Sequence, residues 1–249
     1  MFPYRDDNPT LRTPVITMSL IALNVAAWVF LQGMGSDPQL SRSVCELGLI
    51  PGEFLHRIPP GTDVRLGPYT RCMLGYGPVW ITPLSSMFLH GGWFHLIGNM
   101  WFLWLFGNNV EDSMGRVRYL VFYVLCGLAA AATQTLLQPT SPVPMVGASG
   151  AISGVMGAYV ILYPRVQVHM LVVLVVFVTR IVVPAYLMLG YWFLIQLLGG
   201  TTSLRAEGGV AFWAHVGGFL GGAVLVPLFR NPTFVAEHRR LARTYAGAW

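Results

Sequence analysis

Pro144-Met145-Val146-Gly147-Ala148-Ser149-Gly150-Ala151-Ile152-Ser153-Gly154-Val155-Met156-Gly157 brings an apolar segment to a start on a serine. Pro142 and Pro144 bar a helix from beginning earlier, so Ser149 is expected in its first turn. The first N–H groups of a helix have no partner within it, and the helix dipole is positive there. A serine so placed has an anion site at its own backbone. Taken alone, though, it reads as an ordinary helix cap, and the rest of the chain must decide between the two.

Composition narrows the setting. Of 249 residues, 55% are hydrophobic and 10% are charged; a soluble domain carries about 25% charged residues. With a mean hydropathy of +0.60, this is membrane composition. The net charge of +5 does not point to nucleic acid, because no basic run lies beside a polar face. The arginines cluster at segment ends, where they read as topology signals.

Membrane spans are expected at the apolar runs 14–31, 83–106, 116–137, 149–163, 184–198 and 210–229, of which the first is long enough to cross and 149–163 is short for a full crossing. Residues 1–13 form a polar tail, and 230–249 a basic tail expected to be mobile in water. The first connection, 32–82, is long and rich in Pro and Gly. Residues 107–115 read as a tight turn holding Glu111 and Asp112, which with Arg116 and Arg118 would form a charge cluster that pins it. Residues 164–183 are expected as a loop dipping along or into the membrane. The fold class is therefore all-α: a polytopic bundle of six transmembrane helices. Six crossings put both termini on one side. Arg5, Arg12, Arg116, Arg118, Arg165, Arg180, Arg230, Arg239, Arg240 and Arg243 fall on that side, against Arg42, Arg57, Arg65, Arg71 and Arg205 on the other. The termini are expected to be cytoplasmic.

In that topology His95 lies about 10–15 Å and His215 about 8 Å from the outer ends of their helices, at 1.5 Å per residue. Ser149 opens a short helix that must begin below the same surface. Polar groups at that depth cost several kcal/mol unless they face one another or a wet cavity. Asn99 shares a face with His95. Gly150 and Gly154 on one helix, and Gly217, Gly218, Gly221 and Gly222 on another, leave room for close backbone approach in lipid. That approach would bring the Ser149 hydroxyl to the His215 ring, and serine is a poor nucleophile until a base takes its proton. His95, Asn99 and the Ser149 N–H would then donate to a developing oxyanion.

Gly147-Ala148-Ser149-Gly150, His90-x4-His95-x3-Asn99 and Ala214-His215-x-Gly217-Gly218 resemble the three signatures of rhomboid intramembrane serine proteases. The resemblance implies a Ser149–His215 dyad without an acid, an oxyanion site at His95, Asn99 and Ser149, and hydrolysis of transmembrane protein substrates near the outer leaflet. It also implies a partly membrane-embedded first loop, a fifth helix acting as a lateral gate with Trp192 and Phe193 as its candidates, and residence in the cell membrane. A tyrosine found in one subgroup four residues after the serine is replaced here by Ser153, so His215 must be oriented by something else.

Other residues have plainer readings. His90 faces away from His95 and is expected to join its helix to the first loop, as Gly147, Gly150 and Gly218 shape the neighbourhood of the site. His169 and His238 are expected as loop and tail residues. No span holds a carboxylate and no H-E-x-x-H occurs, so no metal or other cofactor is expected. Cys45 and Cys72 both fall in the first connection, where an oxidising compartment would let them pair; their pairing stays open. The rival function is a non-catalytic rhomboid-like protein that binds transmembrane helices. A transporter would want paired charges or inverted repeats at mid-membrane, and neither is seen.

Overall fold

The computed structural model describes residues 2–65, 71–75, 77–174, 177–203 and 210–246; Arg205 of the arginine count lies outside them. The chain is mostly helical, with strands at its edges. Strand β1 (Phe2–Asp6) leads into α1 (Val15–Ala26), which continues as a π-helical turn to Leu31. The first connection holds α2 (Gln39–Leu47), α3 (Pro51–Phe54), the hairpin β2 (Asp63–Arg65) and β3 (Arg71–Met73), and α4 (Thr82–Ser85). Then come α5 (Trp93–Met114), α6 (Arg116–Leu137), α7 (Ser149–Leu162), the hairpin β4 (Gln167–Leu174) and β5 (Phe177–Pro184), α8 (Ala185–Ser203), α9 (Phe212–Phe229) and α10 (Pro232–Ala246). Among the described residues, α6 and α9 are long and apolar enough to cross a membrane, and the apolar segments Val15–Leu31 and α7 are shorter.

The centre is built from α7 against α9, α6 and α5. Phe106, Phe122, Tyr123, Val155, Tyr159 and Val226 are fully buried there. Glycines set the spacing. A Cβ on Gly218 would lie 2.0 Å from the Gly150 carbonyl oxygen, and one on Gly222 would lie 2.0 Å from that of Gly154. Backbone thus rests on backbone at both places between α7 and α9, as it does in close-packed membrane helices.

Several expectations are corrected. The second apolar helix runs over Trp93–Met114 rather than 83–106. Gly91 and Gly92 lack the side chains that favour a helix, and the residues before them turn instead through α4 and a 3-10 segment at Ser86–Phe88. Residues 107–114 are helical, not a turn; the reversal into α6 falls on Gly115, whose φ of +80° suits glycine. Glu111 and Asp112 do not pin Arg116 and Arg118. Glu111 accepts from the N–H groups of Ile16 (3.0 Å) and Thr17 (2.8 Å) and from the Thr17 hydroxyl (2.8 Å), satisfying the first turn of α1. Asp112 accepts from the N–H groups of Leu11 (2.7 Å) and Arg12 (3.0 Å).

The chain is also not all-α. β4 and β5 pair antiparallel, and β1 adds to them in the order β1-β4-β5. The run is rich in β-branched valine, which suits a pleated surface. Alternation is visible in β4: Val168, Met170 and Val172 are buried while Val173 is exposed. The expected mobile tail is instead the helix α10 docked on the body. Val235 and His238 are buried, His238 Nε2 lies 2.9 Å from the Pro9 carbonyl oxygen, and the Arg12 guanidinium sits over the Phe234 ring while pairing with Glu237. His169, expected as a loop residue, lies in β4, 2.9 Å from Asp7.

Candidate active site

Ser149 is the first residue of α7, and its hydroxyl does not cap the helix. It lies 2.8 Å from Nε2 of His215. The segment leading to it is held from two sides. Leu49 and Met145 exchange backbone hydrogen bonds (3.0 and 2.7 Å), and the Gly147 N–H donates to the Ser86 carbonyl at 2.9 Å. The first connection therefore fixes the approach to the serine.

His215 is one turn into α9. The first turn of that helix is tied to α6 by Gln134, whose Oε1 accepts from the Ala214 N–H at 3.1 Å. On the far side of the ring, Nδ1 lies 2.7 Å from Oε1 of Gln196, on α8. The Trp192 ring, one turn earlier on α8, sits 5.8 Å from the imidazole. The position where a stacking tyrosine had been considered, Ser153, is buried. Its hydroxyl donates to the Ser149 carbonyl at 2.6 Å, and its Cβ lies 3.4 Å from where one on Gly218 would stand.

His95, on α5, faces the serine from the other side. Its Nδ1 accepts from the Gly91 N–H at 3.2 Å. A neutral ring that accepts at one nitrogen carries its proton on the other, so Nε2 is a donor. That nitrogen borders a gap beside Gly147: a Cβ on Gly147 would lie 2.8 Å from His95 Nε2 and 3.4 Å from Ser149 Oγ. Asn99 is buried, and its amide donates to the His95 carbonyl at 3.0 Å, steadying the turn that carries His95.

His90 is fully buried with its ring 5.1 Å from that of His95, nearer than its place on the chain had suggested. It is joined to the end of the first helix through its backbone: the Gln32 amide donates to its carbonyl and accepts from its N–H, both at 2.8 Å. Trp192 and Phe193 lie against α9, with Phe193 stacked on Phe219 at 4.7 Å. Cys45 and Cys72 form a disulfide (Cα–Cα 5.3 Å) that ties α2 to β3.

Ser149, His215, His95 and Gly147 open onto one cavity of about 460 Å³, walled by Met87, Met145, Ala211 and their neighbours. No cluster of three or more potential metal ligands occurs among the described residues. The arrangement offers a hydroxyl beside a base, with a ring N–H and a helix N-terminus aimed at the same space. Those are the parts that acyl transfer needs. Gln134 and Gln196 escaped sequence reading because a lone glutamine in an apolar helix carries no spacing signal. Only an accounting of buried amides could have singled them out.

Comparison with known proteins gives a family for the chain. The family model of the rhomboid domain matches 78–232. Rhomboid protease GluP of Bacillus subtilis (strain 168) is 29% identical over 180 residues, covering 72% of this chain and 32% of its own length. RHOMBOID-like protein 5 of Arabidopsis thaliana is 35% identical over 94 residues, 38% of this chain and 30% of its own. Putative rhomboid protease YdcA of Bacillus subtilis (strain 168) is 34% identical over 80 residues, 32% of this chain and 40% of its own. The matches thus span between 30% and 40% of these three relatives.

Proposed function

Because this chain belongs to the rhomboid family, a family of membrane proteins that are generally intramembrane serine proteases, we propose that it hydrolyses peptide bonds of transmembrane protein substrates with Ser149 as nucleophile. The observation that carries this reading is the 2.8 Å contact between Ser149 Oγ and His215 Nε2 at the wall of a cavity.

In this reading His215 Nε2 takes the proton of Ser149 Oγ as the oxygen attacks the scissile carbonyl. The carbonyl oxygen, now an oxyanion, moves into the gap beside Gly147, where His95 Nε2–H and the Ser149 backbone N–H donate to it. Each such donor is worth about 10²–10³ in rate. Collapse expels the amine, which leaves with the proton held by His215. Water then attacks the acyl-enzyme, giving its proton to the same nitrogen, and Ser149 is restored. Asn99 holds the His95 turn. No metal or cofactor enters these steps.

The surrounding architecture follows the same proposal. Residues 14–229 form a membrane domain of six crossings, carried by α1 with its π-helical turn, α5, α6, α7, α8 and α9. The termini are cytoplasmic by the arginine distribution, the first connection is partly embedded in the outer leaflet, and Trp192 and Phe193 on α8 line the route by which a substrate helix enters. Purified protein in detergent is expected to cleave a single-span substrate, and a fluorophosphonate is expected to label it. Either activity persisting in Ser149→Ala, or cleavage persisting in His215→Ala, would refute the assignment.

A further inference from the structure

Between Ala185 and Gly200, Gln196 is the one amide or charged side chain, in a helix that otherwise reads as aliphatic and aromatic residues with glycine. It is 7% exposed, and a buried amide is costly unless its polar atoms find partners. The partner is the outer nitrogen of the imidazole: Gln196 Oε1 lies 2.7 Å from His215 Nδ1, while Nε2 of the same ring lies 2.8 Å from Ser149 Oγ. Trp192 covers the ring from one turn away, and His95 faces it across the cavity.

We infer that Gln196 is the positioning residue of the dyad: its amide oxygen accepts the Nδ1 proton of His215 and so leaves the Nε2 lone pair facing Ser149. The inference rests on the protease reading above. A neutral imidazole has one N–H, and the hydrogen bond made by one nitrogen decides which of the two carries it. With Nδ1–H held by an oxygen, Nε2 can only accept, as a general base must. In the other tautomer an N–H would point at Ser149 Oγ, which would then have no base. A carboxylate in this place would supply charge as well as orientation. An amide supplies orientation alone, so it fills the role left open by Ser153 without adding a negative group at membrane depth, where charge is expensive.

The test uses the full chain in detergent micelles, with the rate of fluorophosphonate labelling followed across pH and Ser149→Ala as blank. Gln196→Leu removes the acceptor and is expected to slow labelling by about tenfold or more, since a positioned general base contributes about 10²–10⁴ in rate. Gln196→Glu keeps an acceptor and adds a charge. It is expected to approach the wild-type plateau while the acidic limb of its profile moves up by about one pH unit or more, because a neighbouring carboxylate favours imidazolium. The shift tests whether residue 196 faces the imidazole, since a side chain turned away from the ring would not move that limb. A Gln196→Leu rate within about twofold of wild type, against the loss expected for a base, would overturn the inference. Thermal melts in the same micelles show whether that variant is folded. Where it is not, the Gln196→Glu profile decides, and a limb that stays in place overturns the inference. Wild-type labelling abolished by Ser149→Ala separates the two readings: a negative result for Gln196 then leaves the protease standing, whereas wild type that does not label removes both.

Discussion

Gly147 meets two demands at one position. Its φ of +126° lies where side chains are strained, and the place a Cβ would take is the gap between His95 Nε2 and Ser149 Oγ. Gly147→Ala is therefore expected to cost about 1–3 kcal/mol in stability from backbone strain. It should also abolish cleavage beyond about 100-fold, since the oxyanion would lose its place; kinetics and thermal melts on the same sample check both. A second prediction separates the neighbouring polar residues. His95→Ala removes a donor and is expected to lower kcat by about 10²–10³. Asn99→Ala loosens one turn and is expected to cost about tenfold, near the net worth of one hydrogen bond. Equal losses in the two variants would place Asn99 at the oxyanion itself. Ser149, His215 and His95 could be picked out from sequence because each is a polar group set in a largely apolar run. Gln134 and Gln196 could not, because what matters about them is a neighbour on another helix, and that appears only once the helices are packed.

Between helices, contact is made by atoms that most residues would obstruct. Gly222 lies two turns from His215 on the chain, yet a Cβ there would meet the Gly154 carbonyl oxygen at 2.0 Å, well inside van der Waals contact. Gly222→Ala must push α9 from α7, and the Ser149–His215 hydrogen bond should lengthen with it. Cleavage is expected to fall by about tenfold or more although no catalytic group is touched, as misplacements of about 1 Å can cost 10²-fold. Gly98→Ala, on an α5 surface with nothing within 4 Å, is the control. It is expected to keep activity and to gain up to about 1 kcal/mol from helix propensity. The starts of α6 and α7 were legible because arginine and proline mark them. The β4–β5 hairpin was not: a valine-rich apolar run reads equally as strand or membrane segment, and only its partners settle which. The end of α5 was missed because Glu111 and Asp112 look like turn residues until the N–H groups they satisfy are seen, those of residues 11, 12, 16 and 17.

At the scale of the molecule, the end away from Ser149 is held by the two tails. Asp6 accepts from the Tyr159 hydroxyl and from the Asn109 amide, and burial pushes its carboxyl up to about 6. An acid whose pKa is higher folded than unfolded favours the fold at low pH, and that contribution is lost as pH rises from 3.8 to about 6. Asp6→Asn should lack this term. Measured by thermal melts in micelles, the variant is expected to gain stability relative to wild type across that window and to hold the gain above it. A constant difference across pH would remove Asp6 as the source. The sheet in which Asp6 ends also dictates an order of assembly. Phe2 pairs with Leu171 and Pro3 with Met170, so β1 waits for a partner made roughly 170 residues later. At about 5–20 residues per second of synthesis, that is a delay of the order of ten seconds or more. Throughout it β1 must stay unpaired in the compartment where β4 and β5 will emerge. A fast-folding domain placed directly before β1 would occupy that ground first, and the closing step of the fold would then have to compete with it.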